Sequence, residues 1–152
     1  MPRKIRASFG LLLLISACAR PVTLAAPAVS PPALILGTFQ DDYGNRFTIT
    51  STDWLHRPRS RYHIVKWDVA NQYAIAQNDS SNPGQPNRWT RIDWMTLPGM
   101  PPYEWAFCLT AYDAASAAEA EATPAARRDT PRTGCGGFPF SRMKRVPGET
   151  AK

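Results

Sequence analysis

The sequence predicts an α+β domain that is mainly β: an antiparallel six-strand meander, either a curled sheet or a partial barrel, with one Ala-rich helix near the C-terminus. Three observations lead there. Between Leu34 and Leu109, short runs rich in Thr, Ile, Val and aromatics alternate with clusters of Gly, Pro, Asn and Asp. The links between the runs are short, which favours antiparallel neighbours over crossovers. After Tyr112 the pattern changes once, to Asp-Ala-Ala-Ser-Ala-Ala-Glu-Ala-Glu-Ala, the one strong helix signal of the chain.

Taken in order, strands are expected over residues 34–40, 46–52, 61–68, 72–78, 88–95 and 103–110. The first link, Asp41 to Asn45, reads as a hairpin whose Gly44 supplies a positive φ. Asp79 to Asn87 holds two prolines and a glycine and is expected to be a surface loop, and Leu97 to Pro102 is too rich in Pro and Gly for regular structure. The helix is expected to start at an Asp113 cap and to stop before Pro124, which lacks a backbone donor. Thr133 to Phe140 then returns as a glycine-rich loop.

Alternation suggests where that helix packs. Tyr103, Trp105, Phe107 and Leu109 point one way along the last strand, with Ala106 and Cys108 on the other. In the fourth strand Tyr73 and Ile75 oppose Ala74 and Ala76. The large residues are expected to form the core. The small-residue face then leaves room for the alanine helix, pinned by a Cys108–Cys135 bridge.

The organisation around this domain is that of an exported protein. Arg3, Lys4 and Arg6 precede an apolar run from Phe9 to Ile15, far shorter than the roughly 20 residues that span a bilayer and of signal-peptide length. The run ends in Ile15-Ser16-Ala17-Cys18, which resembles the lipobox of bacterial lipoproteins. That resemblance implies removal of residues 1–17 and acylation of Cys18 as the mature N-terminus. An ordinary signal peptidase site near Thr23-Leu24-Ala25-Ala26 is the alternative and would release a soluble protein. Residues 18–33, rich in Pro and Ala, form an extended tether reaching some 40 Å at about 3.1 Å per residue. A single domain over 34–145 and a disordered tail over 146–152 complete the chain.

With Cys18 used by the lipid or lost with the signal, Cys108 and Cys135 remain as an even pair in an oxidising compartment, and a disulfide is expected. Removing Arg3, Lys4 and Arg6 from the 18 basic residues leaves 15 against 12 acidic ones, a net charge of about +3. Such scattered charge in an exported chain argues against nucleic acid as a partner. Arg57, Arg59 and Arg61, the one dense basic cluster, read as a solvated loop around Pro58.

Chemistry-bearing motifs are few. His56 and His63 are the only histidines and lack flanking carboxylates, so neither metal nor cofactor is expected. Asp41 and Asp42 are adjacent on a strand and point to opposite faces. No GxSxG, HExxH or phosphate-binding glycine loop occurs, and an enzyme is not expected. A ligand face is suggested instead by Trp89, Arg91 and Asp93, which alternate away from Ile92 and Trp94, with Trp67 and His63 alongside. An aromatic among charged groups can stack on a sugar or another planar ligand.

Further segments carry a resemblance. Gly37-Thr38-Phe39-Gln40-Asp41-Asp42-Tyr43-Gly44, Ile75-Ala76-Gln77-Asn78, Trp89-Thr90-Arg91-Ile92-Asp93-Trp94, Phe107-Cys108-Leu109-Thr110-Ala111-Tyr112-Asp113-Ala114 and Gly134-Cys135-Gly136-Gly137-Phe138-Pro139 together resemble a family of small exported bacterial lipoproteins without assigned function. That resemblance implies no activity. Gly37-Thr38-Phe39 opening a meander is also similar to the start of lipocalin-like barrels, which implies a cavity for a small apolar ligand. The expected protein is therefore a lipid-anchored, non-catalytic binding module of the cell envelope, held at the membrane by its lipid and recognising a glycan or protein there. Ala19 after the cysteine, rather than an acidic residue, points to the outer membrane. A lipocalin-like carrier is the alternative function.

Overall fold

The computed structural model describes residues 29–148. Cys18, the signal segment and most of the tether lie outside the described residues, as does the end of the tail. A one-turn 3₁₀ helix, Ala33–Ile35, leads into β1 (Gly37–Asp41), β2 (Arg46–Ile49), β3 (Asp53–Arg57), β4 (Ser60–Asp68), β5 (Tyr73–Asn78), β6 (Trp89–Thr96) and β7 (Trp105–Ala114). The helix α1 (Ala117–Ala122) follows, and β8 (Ser141–Arg145) ends the fold.

The sheet is a closed barrel of eight antiparallel strands in sequence order, with β8 pairing back onto β1. This corrects the expected six-strand meander. The two unpredicted strands are those that close it. β3 fills the segment between Ser51 and the Pro58 turn, and β8 is a basic strip whose register sets Met143 opposite Asp41 on one side and Trp105 on the other. Closure gives each strand a neighbour on both sides.

The lumen is filled from the plugged end. Ile35 is fully buried and joins Phe39, Ile49, Trp94, Trp105 and Met143 in one cluster. Trp105 packs edge-on against Phe39 and Trp54, at centroid distances of 5.1 and 5.8 Å. An eight-stranded barrel is just wide enough to be packed by side chains or to hold one small ligand.

The inside of β5 is where alternation misleads. Ala74 and Ala76 face the lumen, while Tyr73 and Ile75 face outward beneath α1. The reason is space. Ala74 lies across from Trp67, whose indole meets Trp94 at 5.6 Å, and two indoles leave room only for methyl groups on β5. The helix therefore covers Tyr73, Ile75 and Ala114 through its buried Ala120, not the expected small-residue face. It is also shorter than expected: Asp113 and Ala114 still belong to β7, and the hydroxyl of Ser116 caps the helix by accepting from Glu119 N at 3.1 Å.

Ala106 and Cys108 do face outward, under a strap formed by residues 123–140. Cys135 bridges Cys108 with Cα atoms 5.6 Å apart, and Ala126, Phe140 and Leu97 complete this second cluster. Gly134 is required in the strap, because a Cβ there would collide with the carbonyl of Arg127. The bridge joins residues 27 apart, a link worth about 3.6 kcal/mol in the chain-entropy account. Reduction is expected to lower the melting temperature clearly. Free thiols found in denatured, unreduced mature protein would refute the bridge.

Candidate functional site

In an up-and-down barrel, the β1–β2, β3–β4, β5–β6 and β7–β8 links share one end. The 3₁₀ turn plugs the other. At the open end the packing stops short of the rim and leaves a cup of about 380 Å³. Its walls are Phe47, Trp54, His56, Tyr62, Phe107 and Leu109, each brought inward by alternation on β2, β3, β4 and β7. Tyr43, Asn45, Tyr112 and Ser141 stand at its rim. β8 pairs only with residues 105–107 of β7, so the upper part of β7 parts from β8, and the Cys108–Cys135 bridge lines that side of the cup.

The rings brace one another. Phe47 and Trp54 meet Phe107 at 5.3 and 5.2 Å, inclined at 69° and 63°. His56 lies flat on Phe47, with centroids 4.6 Å apart and planes at 18°. Burial pushes the His56 pKa down, against the opposing pull of Asp41, so the imidazole is neutral near pH 7. Burial also pushes the Tyr62 phenol up, keeping it protonated.

Among the described residues Asp41 is the one carboxylate in the wall. It is almost fully buried, on the same face of β1 as Phe39. Its Oδ1 accepts from the backbone N–H of Tyr43 at 3.0 Å and of Asn45 at 2.7 Å, and its Oδ2 accepts from the Asn45 side chain at 2.9 Å. These bonds shape the hairpin, whose Gly44 has the expected positive φ of 88°. The loop of residues 79–88 is anchored by buried Asn78, which donates to the carbonyls of Gln85 at 2.9 Å and Tyr112 at 3.0 Å.

The five residues expected to form a ligand face are not brought together as one. Trp67 is 3% exposed inside the barrel, its indole donating to the Ser51 carbonyl at 2.7 Å. Asp93 is 0% exposed on the outer face of β6. It accepts from Arg91 at 3.0 and 3.2 Å, from Arg128 at 3.1 Å and from the Thr110 hydroxyl at 2.6 Å. Arg91, itself buried, continues to the Glu121 carbonyl at 2.7 Å and lies 4.1 Å over the Tyr73 ring. Trp89 is half-buried beside Ala114 and Ala117. The outward face of β6 is thus the seat of the helix and strap, and its charges are fasteners.

His63 stands apart on the outer face of β4, with Nδ1 3.1 Å from Asp53 and Nε2 2.8 Å from Asp79. Bonds from the Ser81 hydroxyl and N–H, then from His63, hold Asp79 well below the usual carboxylate range. The two carboxylates lie at opposite ring nitrogens and do not converge on one point. Among the described residues no group of three or more His, Cys, Asp and Glu is arranged to hold a metal ion.

The cup was hidden in the sequence because β3 was. Once Asp53–Arg57 is a strand, Trp54 and His56 share its inner face, and that spacing was the available signal. The fold and cup define a class, the small closed antiparallel barrel with one open, ring-lined mouth. No family model, curated protein or solved structure matches the chain.

Proposed function

We propose that this protein is a lipid-anchored binding module of the cell envelope that holds a small, largely apolar molecule in the open end of its barrel. The observation that carries the reading is the 380 Å³ cup, with mainly aromatic walls and a few polar groups among them and at the rim. Sites for small ligands have this size and this division of labour. Topology supports an outward-facing role. The chain enters at the plugged end through Ala33–Ile35, so a tether running back to Cys18 joins the barrel opposite its mouth. This is the carrier or receptor reading, now preferred to recognition through the Trp89 face, whose charges are used up beneath the helix.

The anchor and the cup are tested separately. Cys18→Ser is expected to abolish membrane association, because acyl chains rather than the domain provide it. Growth with labelled fatty acid decides the matter, and an unlabelled wild-type protein sinks the lipid anchor. For the cup, a thermal-shift panel of small alcohols, aromatics and alkylammonium ions is expected to yield at least one saturable ligand. Ser141→Trp, which places an indole at the rim, is expected to remove that shift and leave the unliganded melting temperature nearly unchanged. A panel without any shift would overturn the binding reading.

A further inference from the structure

We infer that the cup selects a small methylated ammonium ion, its onium group caged by the rings of Phe47, Trp54, Tyr62 and Phe107 with Asp41 supplying the counter-charge. The inference rests on the cup being a ligand site and names the chemistry of its guest.

Charge is the first argument. Among the described residues no Lys or Arg lines the cup wall. Alternation removes them. Arg46 and Arg57 are exposed cross-strand partners on the outer face of the same strands that send Phe47, Trp54 and His56 inward. Arg57 bonds Thr48 at 3.1 Å, and Arg61 is drawn to Asp53 at 2.9 Å. Asp41 is the sole carboxylate facing the cup, and no ion pair involves it among the described residues. Its three partners are all neutral N–H donors of its own hairpin. A nearly buried carboxylate with only neutral donors beside it is a counter-charge ready for a cation entering the cup.

The walls decide which cation. Bare ammonium and alkali-metal ions are strongly hydrated, and a floor of hydrocarbon rings gives them little in return. An onium group sheathed in methyls has a weak hydration shell and a diffuse charge. It is attracted to aromatic faces, to tryptophan most. Rings from β2, β3, β4 and β7 line the cup on several sides, which suits a compact guest, and the edge-to-face contacts of Phe47 and Trp54 with Phe107 hold them in place. The neutral His56 adds a further ring without adding a competing charge. A volume of 380 Å³ admits a trimethylammonium head with a short tail, and Asn45, Tyr112 and Ser141 stand where a hydroxyl on that tail would emerge.

The test is a calorimetric comparison of choline, tetramethylammonium and 3,3-dimethylbutan-1-ol, the last being choline's shape without its charge. Choline is expected to bind at least tenfold more tightly than the neutral alcohol. Asp41→Asn keeps an acceptor for the hairpin N–H groups. It is expected to reduce choline affinity about tenfold while leaving the alcohol's affinity and the melting temperature little changed. Equal binding of choline and the alcohol would overturn the inference and leave the apolar binding function standing. Absence of choline binding in wild-type protein would overturn it too, and the thermal-shift panel then reports independently whether the cup binds anything.

Discussion

Asp93→Ala is expected to cost about 3–5 kcal/mol, a large share of the stability of a domain this size. The carboxylate joins three parts of the fold. Arg91 ties it to the end of the helix through the Glu121 carbonyl, and Thr110 ties it to β7. Arg128, from the strap, reaches it while also donating to the carbonyls of Trp94, Asn71 and Gln72 at 2.8 to 3.0 Å. Removing the acid leaves Arg91, 6% exposed, with a positive charge, little access to water and only the Glu121 carbonyl and the Tyr73 ring to answer it. Arg128 is more exposed and escapes part of this penalty. The expected cost therefore comes mainly from the orphaned charge rather than from the lost attraction. A second variant isolates this. Asp93→Leu combined with Arg91→Met removes both charges, and it is expected to be less destabilised than Asp93→Ala. Urea melts of the three proteins measure it, and a loss below 1 kcal/mol in Asp93→Ala would show that the network fastens nothing.

Much of the barrel was legible because most strands combine an apolar lumen side with turn residues at both ends. β3 and β8 lacked that signature for different reasons. In β3 only Trp54 is fully buried, and Arg57 beside Pro58 reads as a loop. In β8 only Met143 is buried, flanked by Arg142 and Lys144. A strand that contributes one residue to a lumen can be basic everywhere else. Arg142 is neutralised by Asp42 at 2.9 Å, and Arg145 lies 4.7 Å over Phe39 while donating to the Leu36 carbonyl. Those partners lie about 100 residues away in sequence. The disulfide was readable because it depends on a count and a compartment. The cup was not, because its rings come from four strands, one of them unseen.

Trp67→Ala is expected to cost about 3–5 kcal/mol, the usual range for emptying a buried indole site. Alternation counted from His63 places Trp67 outside, with His63 and Val65, and there the same change would cost well under 1 kcal/mol. The structure inverts this through one extra residue. Ile64 pairs with Ala76 and Lys66 with Ile75, so Val65 has no partner of its own. Val65 packs toward the outer cluster and Lys66 engages Glu121 and Tyr73, both also outside. Two consecutive outward residues turn Trp67 back into the lumen, against Trp94 and the Ser51 carbonyl. A bulge thus changes the phase of a period-two pattern without changing its composition. Deleting Val65 is expected to be as damaging as Trp67→Ala, since restoring strict alternation drives either the indole or its outward neighbours to the wrong face. Thermal and urea melts of the two variants test the argument together. A mild Trp67→Ala would return that residue to the surface, and a mild deletion of Val65 would show that the phase of β4 is set elsewhere.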